Sequence, residues 1–244
     1  MNPNAYIDAD TIPYIIGFTT EDVVRSEIVA DRIDTFIHEN VFDPLTFDWE
    51  FNSGWVYHFF IGSQDKSNFR YSIYPEYKAN RVQPKPRHFQ YIREYLIENY
   101  NAIEVSGWEV DDEVAMRSQK DPTSIICSID KDLDQLPGDH WNYSSRKMLR
   151  YYIDDDQAIN WFYRQILIGD TTDNIKGVYG IGPKKAEKIL AGLSEEQQYY
   201  EVCLQTYLDN GRKEEEMILN GQLLWLLRKP LAEGGLWQPP NERS

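Results

Sequence analysis

Short apolar runs that stop at acidic residues, separated by segments of helical spacing, constrain this chain more than any other feature. Ala5-Tyr6-Ile7-Asp8-Ala9-Asp10 reads as a short buried strand ending in acids. Trp55 to Ile61 is aromatic and β-branched and reads as a second core strand; Thr123-Ser124-Ile125-Ile126-Cys127-Ser128-Ile129-Asp130 reads as a third, again ending in an acid. Between them, residues 21–41 set Val24, Ile28, Ile33, Phe36, Ile37 and Val41 near helical spacing, and Asp43-Pro44 stops that helix. Phe89 to Tyr100 sets Phe89, Ile92, Tyr95 and Leu96 on one helical face. Asp154-Asp155-Asp156 can cap a helix running to about Ile168, and helical patterns return over 183–192, roughly 195–209 and roughly 213–228. This order predicts an α/β fold with a mostly parallel central sheet, followed by a helical C-terminal region. Residues 64–88, rich in Arg, Lys and Pro, read as a loop or mobile segment, and Gly234 to Ser244 as a tail that Trp237 anchors in part.

The length of 244 residues suits one large domain, or one domain with a smaller appendage. A hydrophobic fraction of 41% is ample for a packed core. Cys127 and Cys203 lie far apart and form no framework, which points to a reducing, cytoplasmic setting. Asp8 and Asp10 interrupt any signal-peptide pattern at the N-terminus, and no apolar run is long enough to span a membrane. None of His38, His58, His88 and His140 pairs with another His or Cys at zinc spacing.

The run Gly169-Asp170-Thr171-Thr172-Asp173-Asn174-Ile175-Lys176-Gly177-Val178-Tyr179-Gly180-Ile181-Gly182-Pro183-Lys184-Lys185-Ala186 joins two functions. Asp170 and Asp173 are paired carboxylates of the kind Mg²⁺ or Mn²⁺ selects. Gly180-Ile181-Gly182-Pro183 reads as a tight turn opening a helix, where glycines let a phosphate approach backbone N–H groups beside Lys184 and Lys185. Metal carboxylates next to a phosphate clamp suggest an enzyme that cuts nucleic acid. The net charge of −15 argues the other way, because polyanion binders usually carry a basic face. Bound divalent ions would invert that local charge. Basic residues also cluster where phosphates would lie: Lys78, Arg81, Lys85 and Arg87, then Lys176, Lys184, Lys185 and Lys188.

Ligands of open α/β sheets bind at the carboxyl ends of strands. Asp8, Glu109, Asp111, Asp112, Asp130, Asp132, Asp170 and Asp173 all adjoin an expected strand end or helix start. Each has an ordinary structural role open to it, as turn, loop or cap residue. Gathered together they would repel too strongly to stay ionised without cations.

At this point the residues resemble the 5′ nuclease superfamily: flap endonucleases, the 5′-nuclease domain of bacterial DNA polymerase I, and phage 5′-to-3′ exonucleases, the last most of all. The motifs run in order: Tyr6-Ile7-Asp8; Asn68-Phe69-Arg70 with Tyr77-Lys78-Ala79-Asn80-Arg81; Glu109-Val110-Asp111-Asp112; Ser128-Ile129-Asp130-Lys131-Asp132; and Gly169 to Asn174 with Gly177 to Ala186. The resemblance implies a nuclease core over residues 1–165, with a short arch at about 64–100, and a helix-three-turn-helix DNA-binding region with C-terminal helices over 166–244. It implies a two-ion Mg²⁺ or Mn²⁺ site in which Asp8, Glu109, Asp111 and Asp130 hold the first ion, with Asp112 and Asp132 close by, and Asp170 and Asp173 hold the second. Lys78 and Arg81 would approach the scissile phosphate, Arg70 would bind DNA, and Gly180 to Gly182, with a K⁺ ion, would grip duplex backbone. The implied substrate is DNA with a free 5′ end, at a nick, gap, flap or blunt end. The implied protein is a monomer in the cytoplasm, that of a host cell if its source is a phage, with replication proteins as partners.

One departure concerns the second strand, which the family ends with an aspartate. Here Gly62 or Ser63 stands there, and Asp65 a little downstream is the candidate replacement. Two other readings follow from the same residues: a PIN-like ribonuclease, which would lack the Gly-Ile-Gly turn, and a branched-DNA-binding module whose active site has decayed.

Overall fold

The computed structural model describes residues 2–46 and 54–242. In chain order the elements are β1 (Asn4–Asp8), α1 (Ile12–Thr19), α2 (Ser26–Ile37), a π-helical turn at His38–Phe42, α3 (Asp43–Thr46), β2 (Val56–Gly62) and α4 (Arg70–Ile73). There follow α5 (Phe89–Tyr100), β3 (Ile103–Val105), α6 (Val110–Ser118), β4 (Ile125–Cys127), a 3-10 turn at Lys131–Gln135, β5 (Gly138–Asn142) and β6 (Leu149–Ile153). The remainder comprises α7 (Asp155–Ile168), β7 (Gly169–Asp170), β8 (Ile175–Lys176), α8 (Pro183–Ile189), α9 (Glu196–Asp209) and α10 (Glu214–Leu224). Packing divides them into two units. One comprises Met1–Ser67, Gln83–Leu133 and Gly138–Ile153, the other Asn68–Val82, Asp134–Pro137 and Asp154–Ser244. Residue 165, where the motifs place a boundary, lies inside α7, a continuous helix that packs on α8, α9 and α10.

Among the described residues of the first unit, six strands form one sheet in the order β3-β2-β1-β4-β5-β6, parallel throughout except for the antiparallel β5–β6 edge. β1 is central and its Ala5–Asp8 segment is buried, as a parallel strand covered on both faces must be. On one face α6 packs over β1, β2 and β4; elsewhere α1 and α2 pack on α5. Ile7, Ile12, Ile33, Phe59, Ile61, Ile92 and Ile125 form the heart of this core.

The second unit is helical around Phe162, Tyr163, Ile166, Tyr199, Tyr207, Met217 and Trp237, with the β7–β8 hairpin at its margin. Asp154 caps α7 by accepting the Gln157 N–H at 2.7 Å, while the Gln157 side chain accepts the Asp154 N–H at 3.0 Å. Trp237 is 2% exposed and packs against Phe162, Tyr163 and Tyr200, so the tail is anchored.

The structure departs from sequence expectation in several places. The helix expected from residue 21 begins at Ser26, and Val24, counted on its apolar face, is exposed. α1 was not expected, because Ile12-Pro13-Tyr14-Ile15-Ile16 carries no polar face to betray a helical period. β3, with three residues, and β5 and β6, which continue the sheet beyond the expected third strand, also escape the alternation pattern.

A Cβ on Gly221 would lie 2.5 Å from the Trp237 ring. Trp237→Ala should therefore lower the free energy of urea unfolding by about 3–5 kcal/mol, and Gly221→Ala by about 1–3 kcal/mol through overpacking. In the Trp237→Ala background the Gly221→Ala loss should disappear.

Candidate functional site

In the sheet of the first unit β1 lies between β2 and β4, and strand order reverses there. Such a reversal leaves a crevice at the carboxyl ends of the strands. Asp8 is the last residue of β1 and only 2% exposed. Its Oδ2 accepts the Ser128 hydroxyl at 2.8 Å and its Oδ1 the Asp10 N–H at 3.0 Å. The Tyr143 hydroxyl donates to the Asp8 carbonyl oxygen at 2.5 Å. Ser128 follows β4, and its Oγ also accepts the Asp130 N–H at 3.0 Å. Asp130 Oδ1 in turn accepts the Asp132 N–H at 3.0 Å. One serine therefore ties the acid ending β1 to the acidic loop after β4.

Glu109 and Asp112 close the N-terminus of α6 in a capping box, with Asp112 Oδ2 accepting the Glu109 N–H at 3.0 Å. Asp112 is fully buried in that role. Asp111, half-buried on the same turn, is raised well above its ordinary carboxyl value, first by burial, then by the charges of Asp8, Asp130, Glu109 and Asp132. Asp8 is pushed up to about 7, first by burial and then by Asp10, with the Ser128 hydrogen bond opposing and Asp130 adding to the rise. Five of the six acids expected in this unit thus act on one another, and Asp112 serves the helix cap.

The donors are all carboxylate oxygens, the set that suits a hard divalent cation. Among the described residues, no three His, Cys, Asp or Glu side chains are gathered tightly enough to form a ready cage. What the acids of the first unit share is repulsion that a cation would relieve, so their chemistry fits Mg²⁺ or Mn²⁺.

In the second unit, Asp170 ends β7 and Asp173 lies in the turn between β7 and β8. Asp170 Oδ1 accepts the Thr172 N–H at 2.7 Å, and burial, then the Asp173 charge, raises its proton affinity. The Asp173 carboxylate is buried and meets three residues of the 68–82 segment: the Tyr77 hydroxyl at 2.7 Å, Arg81 Nη2 at 2.5 Å and Lys78 Nζ at 3.6 Å. Two further bonds fasten the segments, the Lys78 backbone N–H donating to the Asp173 carbonyl at 3.0 Å and the Asn174 side-chain Nδ2 to the Glu76 carbonyl at 2.9 Å. The two cations expected to act on phosphate are therefore assembled on one of the expected metal carboxylates.

The turn after β8 is braced from beneath. Arg212 Nη1 donates to the Lys176 and Gly177 carbonyls at 2.9 Å each, Asn220 donates to the Lys176 carbonyl at 2.9 Å, and the Val178 N–H donates to the Leu167 carbonyl at 2.8 Å. Val178 and Ile181 are buried, whereas Tyr179 is 96% exposed. Gly180 has φ +74 with open space around its Cα, a conformation glycine adopts without strain. Gly182 caps α8, whose Lys184 and Lys185 are exposed.

Arg70 requires a correction. Expected to bind DNA, it is 1% exposed, and its guanidinium donates to the Leu223 and Trp225 carbonyls at 2.8 Å each. It holds the C-terminal carbonyls of α10 and has no face for a ligand. Asp10 lies outside the motifs, its one signal as a site residue being its place two residues beyond a strand-end acid, and Tyr179 is marked in sequence only as an aromatic between glycines in a turn.

Residues 53–162 match the family model described as 5′-3′ exonuclease, N-terminal resolvase-like domain. The thermostable DNA polymerase I of Thermus caldophilus is 32% identical over 140 residues, which is 50% of this chain and 16% of that protein. The chain thus spans about a sixth of the length of that relative. The bacteriophage T5 protein co-crystallised with metal ions superposes with a TM-score of 0.59 at 19% identity, covering 91% of this chain and 88% of that one. The bacteriophage T5 flap endonuclease in a pseudo-enzyme-product complex with DNA and metal ions gives 0.56 at 19% identity, over 91% and 88% of the two chains. The chain thus shares the fold of these bacteriophage T5 proteins, and its residues 53–162 are similar to a 5′-3′ exonuclease N-terminal domain. Among the described residues no helix is long and apolar enough to cross a membrane.

The raised proton affinity of Asp8 has a measurable consequence. Between its ordinary value of 3.8 and about 7 the folded protein holds a proton that the unfolded chain releases, so stability falls as pH rises through that window. Thermal unfolding in EDTA should show a lower Tm at about pH 8 than at about pH 5. Asp8→Asn should flatten that dependence, and Mg²⁺ should raise the Tm of the wild type at the higher pH.

Proposed function

We propose that the chain is a metal-dependent 5′-to-3′ DNA exonuclease and structure-specific 5′ flap endonuclease, hydrolysing phosphodiesters in duplex DNA with a free 5′ end. The observation that carries this reading is the set of mutually repelling carboxylates, led by Asp8 and Asp111, at the carboxyl ends of the parallel strands. The family match and the polymerase I relatives support it, as do the DNA and metal ions bound by the bacteriophage T5 enzyme.

Asp8, Glu109, Asp111 and Asp130 would hold one divalent ion, with Asp132 nearby, and Asp170 and Asp173 a second. Such ions, when bound, make water a nucleophile at neutral pH and neutralise charge on a phosphate. The protein's own part begins with Ser128 and Tyr143, which orient Asp8 through its carboxylate and its carbonyl. Lys78 and Arg81 stand together at Asp173, and their charges neutralise what develops on the scissile phosphate. Binding duplex backbone falls to the Gly180–Gly182 turn, with a K⁺ ion, and to Lys184 and Lys185. Phosphate contacts carry no base information, so sequence specificity is low. The protein acts as a monomer alongside replication proteins.

The decisive assay is cleavage of 5′-labelled and 3′-labelled nicked duplexes, with Mg²⁺ or EDTA. Wild type should release short products from the 5′ end only with Mg²⁺, and Asp130→Ala should abolish release. Tight duplex binding without cleavage in Mg²⁺ or Mn²⁺ would instead establish a decayed binding module, and preference for a matched RNA duplex a ribonuclease. Lys78→Ala and Arg81→Ala should each lower kcat by about 10²-fold or more. Lys184→Ala/Lys185→Ala should raise KM and flatten its salt dependence while leaving kcat near wild type.

A further inference from the structure

The structure shows what occupies the end of β2, where the family pattern has an aspartate and this chain has Gly62 and Ser63. The Gly62 N–H donates to Asp10 Oδ1 at 2.7 Å. A Cβ on Gly62 would lie 2.9 Å from Asp10 Oδ2 and 3.3 Å from Oδ1. The carboxylate of Asp10, two residues beyond β1, therefore sits over the end of β2, in the space a side chain at position 62 would enter. Its path there is fixed. The Ala9 N–H donates to the Phe60 carbonyl at 2.9 Å, which carries the β1–β2 pairing past Asp8, and the Asp10 N–H donates to Asp8 Oδ1 at 3.0 Å. Asp10 thus donates its N–H to the Asp8 carboxylate and accepts the Gly62 N–H at the end of β2.

Asp65, the replacement that spacing suggests, is placed otherwise. It is exposed, and its oxygens accept the Ser63 hydroxyl at 2.6 Å, the Ser67 N–H at 2.9 Å and the Ser106 hydroxyl at 2.8 Å. These three bonds close the loop between β2 and Ser67 and fasten it to the segment after β3.

We propose that Asp10 supplies the strand-end carboxylate that β2 lacks, as a ligand of the divalent ion, and that position 62 is glycine because any side chain would displace it. The inference rests on the metal-dependent reading above and names which acid completes the first ion's set. A carboxylate moved from β2 to the end of β1 keeps the charge and hardness of the donor set while changing the residue that delivers it.

The test is direct binding of Mn²⁺ to the full chain without DNA, followed by the loss of the free-ion EPR signal, for wild type, Asp8→Asn, Asp10→Asn, Asp65→Asn and the double variant Asp10→Asn/Ser63→Asp. Asparagine keeps an oxygen for the Gly62 N–H, so the fold is retained, and circular dichroism checks this. Asp10→Asn should weaken Mn²⁺ binding about tenfold or more, Asp65→Asn should leave it unchanged, and Ser63→Asp should restore part of the loss. If Asp8→Asn weakens binding but Asp10→Asn does not, Asp10 is only the acceptor for a strand-end N–H, and the inference falls while the metal-dependent reading stands. Equal weakening by Asp65→Asn would assign the role to Asp65 instead. Wild type that binds no Mn²⁺ would overturn both.

Discussion

A buried parallel sheet holds carboxylates against one another at its strand ends, and that repulsion organises the first unit. Asp8 cannot retreat to water, because Ala5 and Ile7 beside it are fully buried and the strand is paired on both edges. Nor can the acidic loop after β4 drift away, since Ser128 bonds both the Asp8 carboxylate and the Asp130 N–H. Apolar burial therefore sets the geometry, and the acids carry an electrostatic cost that a bound cation would relieve. A stability feature would show the reverse arrangement, with each buried carboxylate matched to a base.

The second unit solves a different problem. In a chain of net charge −15, the proposed phosphate contacts need cations held in place. Asp173 does this by drawing Lys78 and Arg81 onto one buried carboxylate, while Tyr77 fixes the same carboxylate through its hydroxyl. Nearby in sequence, the turn around Gly180 is held by Arg212 and Asn220 from below and leaves Tyr179 outward. Rigid support beneath an exposed, glycine-bearing turn suits contact with a regular polymer such as duplex backbone.

Much of this was legible in residue order. The Ala5–Asp8 strand, the Phe89–Tyr100 helix and the Asp154 cap were readable because each depends on neighbours in sequence: a continuous apolar run, one apolar face, one side chain reaching back three residues. α1 escaped because Pro13, Ile15 and Ile16 give it no polar face, and β3 because three residues carry no periodicity. Arg70 was misjudged for a related reason. A cation in a motif looks exposed in sequence, and only the fold brings the Leu223 and Trp225 carbonyls to it across more than 150 positions.

The α/β alternation, the acidic punctuation of the strand ends and the glycine turn beside two lysines are written in residue order, since all three follow from local preference. Only the folded chain settles which acids confront one another, that Asp173 gathers Lys78 and Arg81, and that Asp10 rather than Asp65 covers the end of β2. These are contacts between residues far apart in the chain. Coulomb repulsion and hydrogen bonding depend on distance in space, which sequence separation does not report.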